Sequence, residues 1–118
     1  MSFDLVPFGA RIIDRERCAS FSNWEWRPLC VFAWMLLPSR VTREWDTNDS
    51  ASVSAVTAKL LADLIDDEIT SGRAAEFAQA YNRTCAHARG GSPLYPFDLG
   101  TLQRFSAFCR TSGGFTIE

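Results

Sequence analysis

The sequence predicts a mainly α fold, a compact four-helix domain, on three observations. Apolar residues recur at three- and four-residue steps over 53–71, 73–88 and 99–112, and 23–37 is a near-continuous apolar stretch of helical length. Capping residues, glycines or prolines bound these stretches. The composition, 47 % hydrophobic and 22 % charged over 118 residues, is that of one globular domain, read here as 1–118. A chain this long buries enough surface to fold without a metal or a disulfide.

Residues 1–21 carry Phe3, Leu5, Val6, Phe8 and Ile12–Ile13, interrupted by Pro7 and Gly9. They read as a short extended segment, or as a brief strand at Arg11–Asp14. Phe115-Thr116-Ile117 alternates like a last strand, so the two ends, Arg11–Asp14 and Gly114–Ile117, are matched as a short two-stranded pairing.

The first helix is expected over 23–37. Ser22 with Glu25 three residues later makes a capping box: the hydroxyl accepts from one free amide and the carboxylate reaches back to another. Pro28 then either kinks the helix, because it lacks the amide that would bond the Trp24 carbonyl, or marks its true start. Pro38 ends it. The stretch is apolar almost all round, which reads as the central helix of the core, with Trp24 inside and Trp26 half exposed. Residues 39–52 read as a loop, with Asp46, Asn48, Asp49 and Ser50 as turn formers and Trp45 its one large apolar group.

The second helix, 53–71, carries a stripe of Val53, Val56, Leu60, Leu64 and Ile65, joined by Leu61 and Ile69, and ends at Gly72. The third, 73–88, presents Ala74, Phe77, Ala78, Tyr81 and Cys85 on one edge. A loop at 90–97, pinned by Leu94, Tyr95 and Phe97, leads to Asp98. That residue caps the fourth helix, 99–112, whose inner face is Leu99, Leu102, Phe105, Phe108 and Cys109.

Charge narrows the function classes. The formal net charge is −2, which argues against a strongly basic nucleic-acid binder. Trp24, Trp26 and Arg27 could stack bases, but the two indoles fall on different helix faces with one cation between them. The longest apolar run, Leu29 to Leu37, is nine residues against the roughly 20 of a membrane span. The opening residues lack a basic start followed by a long apolar stretch, so a cytoplasmic, reducing setting is expected. Cys18, Cys30, Cys85 and Cys109 are then free thiols.

Two short motifs add a resemblance. Ser22-Asn23-Trp24-Glu25-Trp26-Arg27 resembles the N-W-x-W-R opening of small uncharacterised bacterial helical proteins. Phe105 to Phe115, through Cys109-Arg110 and Gly113-Gly114, resembles their F-x-x-F-C-R-x-x-G-G-F ending. Pro28 departs from that pattern, where an aromatic or aliphatic residue is more usual, and the middle of the chain carries no likeness. The resemblance implies a bacterial cytoplasmic domain of the toxin-immunity type and transfers no catalytic residue.

The residues themselves supply two function classes. Formal charge runs +2 over 1–43, −6 over 44–76 and +2 over 77–118. The acidic middle, with Glu44, Asp46, Asp63, Asp66, Asp67 and Glu68, reads as a partner-binding face flanked by Trp26 and Trp45. It suits a basic protein surface, such as the active site of a nuclease toxin, and would speed association. The alternative is a small cysteine- or metal-dependent enzyme built on Cys85, His87 and Cys109, with Cys18 as a fourth zinc ligand. Cys85 and His87 point apart on a helix, and the ligand spacing is poor, so neither metal nor cofactor is expected. The reading favoured is a non-catalytic protein–protein interaction module.

Overall fold

A computed structural model describes residues 2–11, 13–47, 50–88 and 97–118, excluding the side chains of residues 87 and 88. It is a mainly helical domain of four helices with a modest antiparallel sheet. The strands are β1 (Ser2–Pro7), β2 (Ala19–Ser22), β3 (Ala51–Val53) and β4 (Phe115–Ile117), in the order β2-β1-β4-β3. The helices are α1 (Asn23–Leu36), α2 (Ala55–Ser71), α3 (Arg73–Ala88) and α4 (Leu99–Ser112). No described helix is long and apolar enough to cross a membrane.

The two chain ends do pair, but through a different segment from the one expected. β1 lies against β4, with Leu5 opposite Ile117 and Pro7 opposite Phe115. Backbone bonds of 2.8 Å in both directions between Asp4 and Glu118 extend the ladder. The described residues of 11–14 form a turn: the Asp14 carboxylate accepts from the Arg11 amide at 2.8 Å, and the Asp14 amide donates to the Arg11 carbonyl. An aspartate that bonds a backbone amide three residues away competes with strand pairing. Phe3, Leu5, Phe21, Val53, Phe115 and Ile117 are buried, while Ser20 and Ser52 face out. Apart from Val6, which is buried as well, this is the alternation of a sheet covered on one side.

Three of the helices, α1, α2 and α4, start at a side-chain cap. The Ser22–Glu25 box is formed in both directions, at 3.2 and 2.9 Å. α1 runs from that cap straight through Pro28, so the proline lies inside the helix. Ser54 caps α2, and Gly72 ends it at φ 87°. Asp98 caps α4, which ends at Gly113 with φ 72°. On α2 the inward positions are Thr57, Ala58, Leu61, Ala62 and Ile65, while Val56 and Leu60 are exposed. The stripe is thus rotated from the expected one, because small residues allow α2 to lie close against α4, its main neighbour.

Two aromatic clusters fill the core. Trp26 is fully buried, stacked between Phe3 (5.6 Å) and Trp45 (6.2 Å) and met edge-on by Phe105 (5.7 Å). Phe77 binds Phe32 (4.9 Å) and Phe97 (5.9 Å), joining α1 to α3. Phe97 is held by both ends of the Asn82 amide, which accepts from its N–H at 2.8 Å and donates to its carbonyl at 2.9 Å. The expected anchors Leu94 and Tyr95 and the turn formers Asn48 and Asp49 lie outside the described residues.

Candidate functional site

The outer side of α1 carries more exposed large apolar side chains than any other described element. Trp26, Leu29, Cys30, Phe32 and Ala33 turn inward. Trp24, Val31, Trp34 and Met35 stay 44 %, 43 %, 55 % and 56 % exposed. At about 100° per residue these four and Arg27 fall within roughly a third of the helix circumference. The all-round apolar character of α1 therefore does not mark a central helix, as the sequence suggested. Among the described residues the sheet, α2, α3 and the segment after α1 pack on one side of the helix, and no described element packs over the stripe on the other. Scattered exposed apolar residues are ordinary, whereas these side chains form one contiguous stripe that includes two indoles.

The chain after α1 folds back along it and widens this face. The Val41 amide donates to the Leu37 carbonyl at 3.1 Å, and the Trp26 indole N–H donates to the Trp45 carbonyl at 2.6 Å. Residues 41–45 thus run antiparallel to α1, ending in a 3-10 turn over Arg43–Asp46. Between them lies an open groove of about 370 Å³, formed by Cys30, Val31 and Trp34 on one side and Val41, Arg43 and Asp46 on the other. Burial, and then the nearby Asp46 charge, hold the Cys30 thiol well above its ordinary pKa. It is a neutral, apolar part of the groove wall.

Two of the expected partner-binding residues are corrected outright. Trp26 has no exposed surface, and Trp45, 2 % exposed, reaches the surface only as part of the wall of that groove, so neither offers an exposed ring to a partner. The two rings stack, and the Trp45 carbonyl satisfies the Trp26 N–H, which lets the Trp26 ring be buried. Trp24, expected in the core, is the exposed indole instead.

The acidic residues do not form one open face. On α2, Asp63 and Asp66 both reach Arg110 of α4, at 3.0 and 2.7 Å, and Glu68 holds Arg73 at 2.7 Å. Asp66 also accepts from the buried Ser106 hydroxyl at 2.7 Å. That bond, with Arg110, holds its carboxyl below the usual range despite partial burial. Asp67 is exposed. Glu44 and Asp46 are elsewhere, on the 3-10 turn beside the α1 groove.

The residues of the catalytic alternative occupy unlike environments. Cys109 is buried on the inner side of α4, and burial alone raises its thiol far above the ordinary value, so it is not a thiolate nucleophile. Cys85 is partly buried on α3, and the His87 side chain lies outside the described residues. Cys18 immediately precedes β2 and donates to the Arg11 carbonyl at 3.6 Å. Among the described residues no three His, Cys, Asp or Glu side chains converge as metal ligands.

Sequence reasoning missed Val31, Trp34 and Met35 as surface and Val41 and Arg43 as groove residues. The available signal was that 23–37 has almost no polar positions, a pattern shared by central helices and helices covered by a partner. Comparison with protein-family models, with curated proteins and with solved structures finds no match.

Proposed function

We propose that this chain is a non-catalytic protein–protein interaction module that binds through the outer face of α1 and the adjoining groove. The carrying observation is the stripe of Trp24, Val31, Trp34 and Met35, left 43–56 % exposed by a domain that buries its other two tryptophans almost completely. Indoles at a groove give large contact area for little conformational entropy, as in interface hot spots. Glu44 and Asp46 keep their proposed part in binding, now as polar rim beside that groove. Asp63, Asp66 and Glu68 are engaged with arginines of the same chain and are secondary.

The resemblance of the two end motifs supports a bacterial, cytoplasmic setting and a toxin-neutralising role within this reading. A photo-crosslinking side chain at position 34, compared with one at the exposed position 103 of α4, tests the face in cells. Adducts with protein at 34 and not at 103 are expected, and Trp34→Ala should weaken the isolated interaction about tenfold or more. Equal adducts at both positions, or none at either, would reject the α1 face.

A further inference from the structure

We propose that the α1 face is occupied by a second copy of this chain, in an antiparallel two-fold pairing centred near Val31; this rests on the interaction reading above and names its occupant. The first argument is the ridge itself. From Trp24 to Met35 it runs about three turns and carries no carboxylate. The one acidic residue of α1, Glu25, lies off the ridge and is turned to the Ser22 amide and to Arg104. A two-fold interface must be complementary to itself, and an apolar ridge without like charges at its centre meets that condition.

The second argument is charge order. The segment after α1 is tied to Leu37 at one end and to Trp26 at the other, so it runs back along the helix. Arg43 therefore sits nearer the C-terminal half of α1, and Asp46 nearer the N-terminal half. A two-fold axis lying across the helices keeps both returning segments on the same side and reverses their direction. Each Arg43 then faces the Asp46 of the other copy. A parallel pairing, whose two-fold axis runs along the helices, would put the two returning segments on opposite flanks and leave each Arg43 and Asp46 without a counterpart. Both side chains are exposed, and among the described residues neither belongs to an ion pair. The same register brings Arg27, also exposed and in no ion pair among the described residues, against Trp34 and Met35 of the other copy, where a guanidinium gains from the indole face.

Sedimentation or light scattering over a wide concentration range tests this. The mass should rise from 13.2 kDa towards twice that value. Val31→Glu should stay monomeric with an unchanged circular dichroism spectrum. Arg43→Asp and Asp46→Arg, both away from the core, should each weaken association about tenfold, and the double swap should restore it. A monomer at every concentration, or a dimer indifferent to all these changes, overturns the proposal. A monomer that still crosslinks from position 34 to a different protein overturns the second copy while keeping the interaction reading. A monomer with no such adduct overturns both.

Discussion

At the residue scale, the energetics turn on a few positions where no alternative side chain fits. Gly114 follows α4 with φ 99°, and a Cβ there would meet the Phe8 ring at 2.5 Å and the Ala55 backbone nitrogen at 3.0 Å. The Phe8 ring is half exposed and can swing aside, but the α2 backbone cannot. Gly114→Ala should therefore lower unfolding stability by about 1–3 kcal/mol, measured by urea titration. A cost below a few tenths would mean that β4 shifts freely. The four thiols divide by burial in the same way. Cys30 and Cys109 are buried, while Cys18 and Cys85 are partly open. Two equivalents of a thiol reagent should react with the native protein, and the other two only on unfolding. Rapid modification of all four would place the core boundary elsewhere. These residue roles were only half legible in the sequence. Cys109 and Phe105 showed their burial through helical spacing, whereas the exchange of Trp24 and Trp26 depended on a carbonyl at Trp45, 19 residues away, that no local pattern reveals.

At the element scale, the helices were legible because their signals are local. A hydroxyl, carboxylate or glycine at a helix end acts on amides within one turn. Ser22, Asp98, Gly72 and Gly113 all occupy cap positions. β4 was legible from the alternation of Phe115-Thr116-Ile117, whereas β2 and β3 were hidden because they are only four and three residues long and acquire partners across the chain. The outer face of α1 was hidden because its sequence does not say which side the domain will cover. The α1 N-terminus also carries a contact that lies beyond its own cap. Glu25 accepts from the Ser22 amide and from Arg104 of α4, whose guanidinium also lies 4.4 Å over the Phe21 ring and reaches the Ser20 carbonyl. Ser22→Ala removes one capping bond and should cost about 1 kcal/mol. Glu25→Ala removes its reciprocal bond and the Arg104 contact, so it should cost more. A double-mutant cycle between Glu25 and Arg104 should return less than about 1 kcal/mol, since both side chains are partly solvated. Equal losses for Ser22→Ala and Glu25→Ala would show that the arginine contact adds nothing.

At the scale of the whole molecule, α4 is the element the others gather on. Leu102, Phe105 and Cys109 are its buried apolar side, Ser106 and Arg110 reach α2, and Arg104 reaches α1 and β2. The acidic charge that suggested a binding face from the sequence is thus partly spent on joining α2 to α4, which makes the join sensitive to acid. The Ser106 hydroxyl first, and then Arg110, favour the ionised form of Asp66 over the neutral one. Its pKa is therefore lower in the folded chain than in the unfolded chain, and the unfolded chain binds more protons as acid is added. The sign follows from linkage. The stabilisation is fully present above the ordinary carboxylate value, about 4, and is lost as pH falls through the lower folded value. Asp66→Asn should lower the urea midpoint at neutral pH and flatten its decline on acidification, so that the two proteins converge in strong acid. The side chain is 48 % exposed, so the difference at neutral pH should stay near 1 kcal/mol or below. Ser106→Ala should reproduce part of the flattening without altering the Arg110 pair, because it removes the largest cause of the shift. Parallel curves for wild type and Asp66→Asn across the acid range would show that the α2–α4 join does not depend on this carboxylate. The same pair of variants separates structure from recognition. If the α1 face is the binding surface, Asp66→Asn should change stability in acid and leave binding at neutral pH as it was.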